Sequence, residues 1–262
     1  MGGKSSRMGA DKAELIFRDG LTQRERGVKL LESVCDQVYI SVAEGEGDQI
    51  IADAFGNVGP LGAIATAQQK HPDASWLILA CDLPLLEFSH LESLTTAHTD
   101  EFDATYFSSA TDGLPEPLCA IWGPLTGRPV LESIQSGKRC PRSLLKGLNG
   151  QALPSPGLWP LANTNTEADA IEIRARLDGA TREKIITLCY FAQLRELAGT
   201  DGESHRTASV TPAGVFQEIR AKYQMPIKRK GMMVAVNGDF TDWTHPLAEG
   251  EEIVFIPPVA GG

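Results

Sequence analysis

Trp76-Leu77-Ile78-Leu79-Ala80-Cys81-Asp82-Leu83-Pro84 is an apolar run that stops on a carboxylate and a proline. Five apolar residues bounded in this way read as a buried strand. Val38-Tyr39-Ile40-Ser41-Val42 reads the same way, while Leu61 to Gln69 and Phe88 to Ala97 read as helices. Strands and helices alternate in this manner up to about Leu177, which predicts an α/β layer fold with a mainly parallel sheet. Ligands of an open α/β sheet gather beyond the C-terminal ends of its strands. Asp82, at the end of its run, is therefore a candidate ligand-binding residue. On that residue alone, a cap for the following segment is an equally good reading.

Further along, Thr166-Glu167-Ala168-Asp169 has the form of a capping box, and the helix it opens runs to about Leu177, with Gly179 as its stop. A domain boundary is expected over Gly179 to Glu183, giving domains 1–178 and 184–262. After it the pattern changes. Ile185 to Phe191 and Ser204 to Val210 read as strands, with a short helical turn from Leu194 to Ala198 between them. Thr211-Pro212 is an N-cap followed by proline at the first helical position, where its missing N–H costs nothing. Val215, Ile219 and Tyr223 recur at helical spacing, with Phe216 beside them. Met233 to Val236 and Ile253 to Ile256 read as further strands, and Asn237-Gly238 is a hairpin signal. Two strands, a helix and two more strands suit a small α+β domain.

Composition narrows the function classes. The chain has 262 residues and a net charge of −10. An acidic chain lacks the basic face that general nucleic-acid or anionic-membrane binding needs. Its apolar runs are far too short to span a bilayer, and no apolar segment of a signal peptide follows Met1, so a cytoplasmic location is expected. The five cysteines are dispersed, with no Cys-x-x-Cys pair, which points away from a disulfide framework or a zinc site. Small anions remain possible ligands, through two basic clusters: Lys4-Arg7-Lys12 and Lys138-Arg139-Arg142.

The first cluster lies in Gly2-Gly3-Lys4-Ser5-Ser6-Arg7-Met8-Gly9-Ala10-Asp11-Lys12. Glycine lets backbone amides approach a phosphate, and Arg7 and Lys12 add a planar fork and a point charge, although on composition alone a flexible N-terminus is an equally good reading. The spacing is not that of a Walker loop. At the other end, Pro257-Pro258-Val259-Ala260-Gly261-Gly262 combines a stiff exit with a narrow, uncharged tail that can thread a channel and present its carboxylate.

Two family resemblances rest on these motifs. Tyr190-Phe191-Ala192-Gln193-Leu194-Arg195-Glu196-Leu197-Ala198-Gly199, Val234-Ala235-Val236-Asn237, His245-Pro246-Leu247, Gly250-Glu251-Glu252-Ile253 and the tail from Phe255 to Gly262 resemble the small subunit of molybdopterin synthase. The match covers nearly all of Lys184 to Gly262. It implies a ubiquitin-like β-grasp fold and a Gly262 that an E1-like adenylyltransferase activates and a sulfur source converts to a thiocarboxylate. The synthase large subunit would take that sulfur for the dithiolene. Gly262 is then a covalent carrier and not an acid or base. A sulfur donor of the thiamine pathway and a protein modifier are rival readings of such a tail.

The N-terminal motif, with Asp53, Gly59-Pro60-Leu61-Gly62, Cys81-Asp82-Leu83-Pro84, Glu116-Pro117-Leu118, Gly137-Lys138-Arg139 and Asn163-Thr164-Asn165-Thr166, resembles molybdenum cofactor guanylyltransferases. This implies a Rossmann-like nucleotidyltransferase domain that moves GMP from GTP to molybdenum-molybdopterin. Gly2, Gly3, Arg7, Lys12, Asp53 and Asp82 would meet GTP, Asp82 would hold Mg²⁺, and Lys138, Arg139, Asn163 and Asn165 would face the pterin phosphate. Two departures matter. The family places an apolar strand before the Gly-Gly loop where this sequence has only Met1, so the first strand is expected to be missing or encoded upstream. Ser41 also stands where the family often has Asn near the base. The alternative is a sulfur carrier with a degenerate, non-catalytic nucleotidyltransferase-like domain.

Overall fold

The structure, a computed structural model, describes residues 11–56 and 58–258. The chain divides into two compact units, one of residues 1–109 and 113–162, the other of residues 110–112 and 163–262.

The first described element of this unit is a 3-10 turn, Lys12–Glu14, capped by the Asp11 side chain. Helix α1 (Gln23–Glu32) begins with a full capping box between Thr22 and Glu25. Strands β1 (Ile40–Val42) and β2 (Ile50–Ala52) follow and pair in parallel. Then come α2 (Pro60–Lys70), β3 (Trp76–Leu79) and α3 (Phe88–Ala97), close to the expected spans. Strands β4 (Ala104–Ser108) and β5 (Pro115–Trp122) form a hairpin, and α4 (Gly127–Gln135), α5 (Pro141–Leu145) and β6 (Gly150–Leu153) complete the unit.

The expectation of a mainly parallel sheet needs correction. β5 is antiparallel to both β3 and β4, and among the described residues of this unit only β4–β6 and β1–β2 are parallel. The cause is the β4–β5 hairpin, whose turn through Gly113 at φ 66° reverses the chain and lays β5 between β4 and β3. Among the described residues, β1–β2 and β3-β5-β4-β6 are separate sheets. Two apolar clusters hold the unit together. Leu61, Ile64, Ala120, Trp122 and Val130 form one, and Leu86, Leu91, Leu94, Phe107 and Ile121 the other. Burying side chains of this size contributes about 1.5–3 kcal/mol each. Trp122 also satisfies its indole N–H by donating to Pro117 O at 3.1 Å.

The second unit contains α6 (Glu167–Leu177), β7 (Lys184–Tyr190), α7 (Ala192–Ala198), β8 (Gly202–Thr207), α8 (Pro212–Lys222), β9 (Met233–Val236), β10 (Asp239–Thr241) and β11 (Glu252–Ile256). Its sheet runs β10-β9-β11-β7-β8, with the parallel β7–β11 pair at the centre. One more strand, β10, is present than the sequence reading gave. It is the short return arm of the Asn237-Gly238 hairpin, where both residues have positive φ (52° and 88°), as a tight turn of this hand requires. α8 is capped by Thr211 and packs Val215, Phe216 and Ile219 onto Ile186, Leu188, Val234, Ile253 and Phe255.

The expected boundary at residues 179–183 also differs from the compact units. α6 groups with the second unit, and the division falls before Asn163. No helix among the described residues is long and apolar enough to cross a membrane.

Candidate functional site

In the first unit, chain segments 70 residues apart meet at the end of β3. Lys12 Nζ lies 3.2 Å from Asp82 Oδ2, and the two side chains are 20% and 18% exposed. Asp11 directs this approach, because its carboxylate accepts from Ala13 N at 3.0 Å and so starts the turn that carries Lys12. Beside them, burial and then the Asp82 charge push the Cys81 thiol up, which keeps it protonated. An ion pair of this partial burial can exchange partners: a phosphate replaces the carboxylate on Lys12, and a metal ion replaces the ammonium on Asp82.

Asp53 follows β2 and turns onto the first turn of α2. Its Oδ1 accepts from Phe55 N at 2.8 Å. A methyl group built on Gly62 would come within 2.7 Å of both Asp53 carboxylate oxygens, so glycine at 62 is what lets the carboxylate lie against the helix. Gly59 precedes that helix at φ 71°, a conformation suited to glycine. Thr66 secures the corner, accepting from Ala54 N at 3.0 Å and donating to Gly62 O at 2.8 Å. Sequence reasoning did not single out Thr66; its place one helical turn after Gly62 is the signal that could have found it.

Lys138 and Arg139 are exposed on the loop between α4 and α5, after Gly137 at φ 77°. The loop is tied down by Lys138 N donating to Ser133 O at 2.9 Å and Ser133 Oγ donating to Lys138 O at 3.1 Å. Arg142 on α5 pairs with Glu116 on β5 at 3.0 Å, joining the second basic cluster to the Glu116-Pro117-Leu118 motif. Asn163 and Asn165 belong to the second compact unit, so they are not brought together with Lys138 and Arg139 inside one unit. Gly2, Gly3, Arg7 and Gly262, with its neighbour Gly261, lie outside the described residues.

Side chains of β11 alternate, with Ile253 and Phe255 buried and Val254 and Ile256 on the outer face. Met233, paired with Ile256, and Phe240, paired with Ala235, stand 52% and 68% exposed there. An apolar patch therefore runs along β11 on this face.

The first unit is thus that of a nucleotide-handling α/β domain, and the second that of a small β-grasp module. Residues 1–152 match the family model described as MobA-like NTP transferase domain, and residues 188–262 match the ThiS family. The chain belongs to the MobA-like NTP transferase domain family through its first unit and to the ThiS family through its second. The molybdenum cofactor biosynthesis bifunctional protein of Synechocystis sp. is 33% identical over 175 residues, 64% of this chain and 50% of that protein, so the chain spans half of that relative's length. The molybdopterin synthase sulfur carrier subunit of Escherichia coli is 33% identical over 81 residues, 30% of this chain and all of that protein. Among solved structures, molybdopterin-guanine dinucleotide biosynthesis protein A from Archaeoglobus fulgidus superposes with a TM-score of 0.55 at 23% identity, covering 68% of this chain and 96% of that one. That likeness supports the fold of the first unit.

Proposed function

We propose that the chain serves molybdenum cofactor biosynthesis at two steps. The second unit carries sulfur as a Gly262 thiocarboxylate for molybdopterin synthesis. The first transfers GMP from GTP to molybdenum-molybdopterin, forming the guanine dinucleotide cofactor and pyrophosphate. The observation that carries the transferase half is the Lys12–Asp82 pair at the end of β3, 3.2 Å apart and fed by the motif that starts at Gly2.

In this reading Lys12, with Arg7 and the amides around Gly2 and Gly3, neutralises the triphosphate. Asp53, held over Gly62, fixes the nucleotide side of the site. A phosphate oxygen of the pterin substrate attacks the α-phosphorus, the bond to the β-phosphate oxygen breaks, and pyrophosphate leaves. Positioning and charge neutralisation carry such a reaction. Asp82 suits Mg²⁺, which needs only one or two carboxylates beside phosphate oxygens. Bound there, the ion would supply charge neutralisation on the triphosphate. Within the first unit, Lys138 and Arg139 would meet the pterin phosphate.

For the second unit, the outer sheet face with Phe240, Met233 and Ile256 supports docking of a synthase large subunit, and of the E1-like enzyme that activates Gly262. The dispersed free thiols suit a cytoplasmic setting. The rival reading is a carrier with a non-catalytic first unit. Incubation with GTP, Mg²⁺ and molybdenum-loaded molybdopterin separates the two. The dinucleotide and pyrophosphate should accumulate; their absence from a correctly folded chain rejects the transferase half.

A further inference from the structure

Helix α1 carries two arginines near its start, Arg24 and Arg26. Cations there oppose the helix dipole, whose positive end lies at the N-terminus. Both reach partners outside the helix. Arg24 Nη2 pairs with Glu14 and lies 3.9 Å from Asp11. Asp11 and Glu14 are the cap and the last residue of the turn that carries Lys12. Arg26 is 6% exposed, and its Nη2 donates to the carbonyl of Leu86, with Glu87 Oε2 at 3.7 Å. Leu86 and Glu87 end the loop that leaves β3 through Asp82. Arg18, on the hairpin between the Lys12 turn and α1, joins them. Its Nη1 lies 2.6 Å from Glu87 Oε1, and its Nη2 donates to Leu86 O at 3.4 Å. The start of one helix is therefore tied to the turn with Lys12 and to the loop with Asp82.

The side chains of Leu83 and Leu86 are buried, and Leu86 N donates to Leu83 O at 3.2 Å. Apolar burial holds the loop down but is non-directional. The planar fork of an arginine on a carbonyl supplies direction. A buried guanidinium is a poor source of net stability, since apolar side chains of like volume often do as well or better. The geometry it imposes on the Asp82 loop accounts for its place there.

We propose that Arg26 is a positioning residue of the transferase site. From the start of α1 it holds the 82–87 loop so that Asp82 meets Lys12, while Arg24 holds the Lys12 turn from the same helix. Arg26 acts through Asp82 and not on the substrate. The effect on catalysis rests on the transferase reading above; the bracing of the loop does not.

Arg26→Met, Arg26→Lys, Asp82→Asn and the double variant Arg26→Met with Asp82→Asn test it on the full chain. Met fills the space of the arginine stem, and Glu87 keeps Arg18, so no buried charge is left unpaired. Arg26→Met should lower kcat for dinucleotide formation by about tenfold. It should speed hydrogen exchange of the Leu86 amide by about tenfold, with α8 unchanged. Arg26→Lys brings one donor head to the carbonyl and should restore part of both. In the Asp82→Asn background, Arg26→Met should change kcat by less than about twofold, because members of one network do not add. A full tenfold loss in that background, no recovery with lysine, or Leu86 exchange that ignores Arg26→Met overturns the proposal. If Arg26→Met fails to fold, Arg26→Lys carries the test, and wild-type kcat with wild-type Leu86 exchange overturns it. If the wild-type chain forms no dinucleotide, the transferase reading fails, and exchange at Leu86 still decides whether Arg26 braces the loop.

Discussion

In the first unit the candidate groups stand at strand ends and keep part of their surface open. Lys12 and Asp82 keep about a fifth of their surface exposed, and the Asp53 carboxylate rests on a helix turn, where it accepts from Phe55 N. In the second unit the charges are consumed by structure. Glu218 accepts from His205, Thr207 and Ser209, Glu203 from Tyr190, Tyr223 and Lys222, and Glu172 caps α8. A transferase must keep its charges available to a substrate. A carrier needs only a firm body from which a tail can project, so its polar groups can be committed to folding. The same residue types therefore carry different consequences in the two halves.

Breaking the contrast on the transferase side should give the largest change. Asp82→Asn is expected to lower dinucleotide formation by about a hundredfold, in line with loss of one preorganised electrostatic contact, while leaving sulfur loading intact; a kcat assay with a parallel loading assay checks both. A smaller effect is expected from Gly62→Ala, which drives a methyl group against Asp53. It should raise the KM for GTP by about tenfold, the size of a displaced hydrogen-bonded contact, with little change in carrier stability.

The carrier side should respond to acid. Burial raises the Glu218 carboxyl, but hydrogen bonds from His205, Thr207 and Ser209 outweigh it and hold the group below its ordinary value of 4.5. Burial likewise raises Glu203, and bonds from Lys222, Tyr190 and Tyr223 bring it net below the same value. Groups depressed in the folded state contribute stability above their unfolded pKa and lose it as pH falls through the folded one. Urea unfolding followed by Trp243 fluorescence should show the carrier unit weakening below about pH 4.5, and Glu218→Gln should flatten that dependence. An acid response centred near neutrality would point to a histidine instead.

What the sequence made legible was local. Thr211-Pro212, Asn237-Gly238 and Thr166-Glu167-Ala168-Asp169 each announce a cap or turn through residues within a few positions, and each is found where expected. The Asp82 reading needed only the end of one apolar run. Long-range choices were hidden. Nothing near Thr166 tells that Arg229, some 60 residues on, will hold the helix it caps. Nothing in Pro115 to Trp122 tells that this strand will run antiparallel between β3 and β4. The Lys12–Asp82 meeting was anticipated as shared ligand chemistry and not as a direct ion pair. Of the candidate site, the part carried by resemblance at Gly2, Gly3, Arg7 and Gly262 lies outside the described residues.

The central claim is that one chain joins a transferase to a sulfur carrier whose working group is its last residue. Intact mass of the full chain, after incubation with the E1-like enzyme, ATP and a sulfur source, tests the carrier claim most directly. The account predicts a mass gain equal to exchange of one oxygen for sulfur, placed on Gly262 by fragmentation and absent when Gly262 is deleted. An unchanged mass, or sulfur found on Cys189 or another thiol instead, would contradict it.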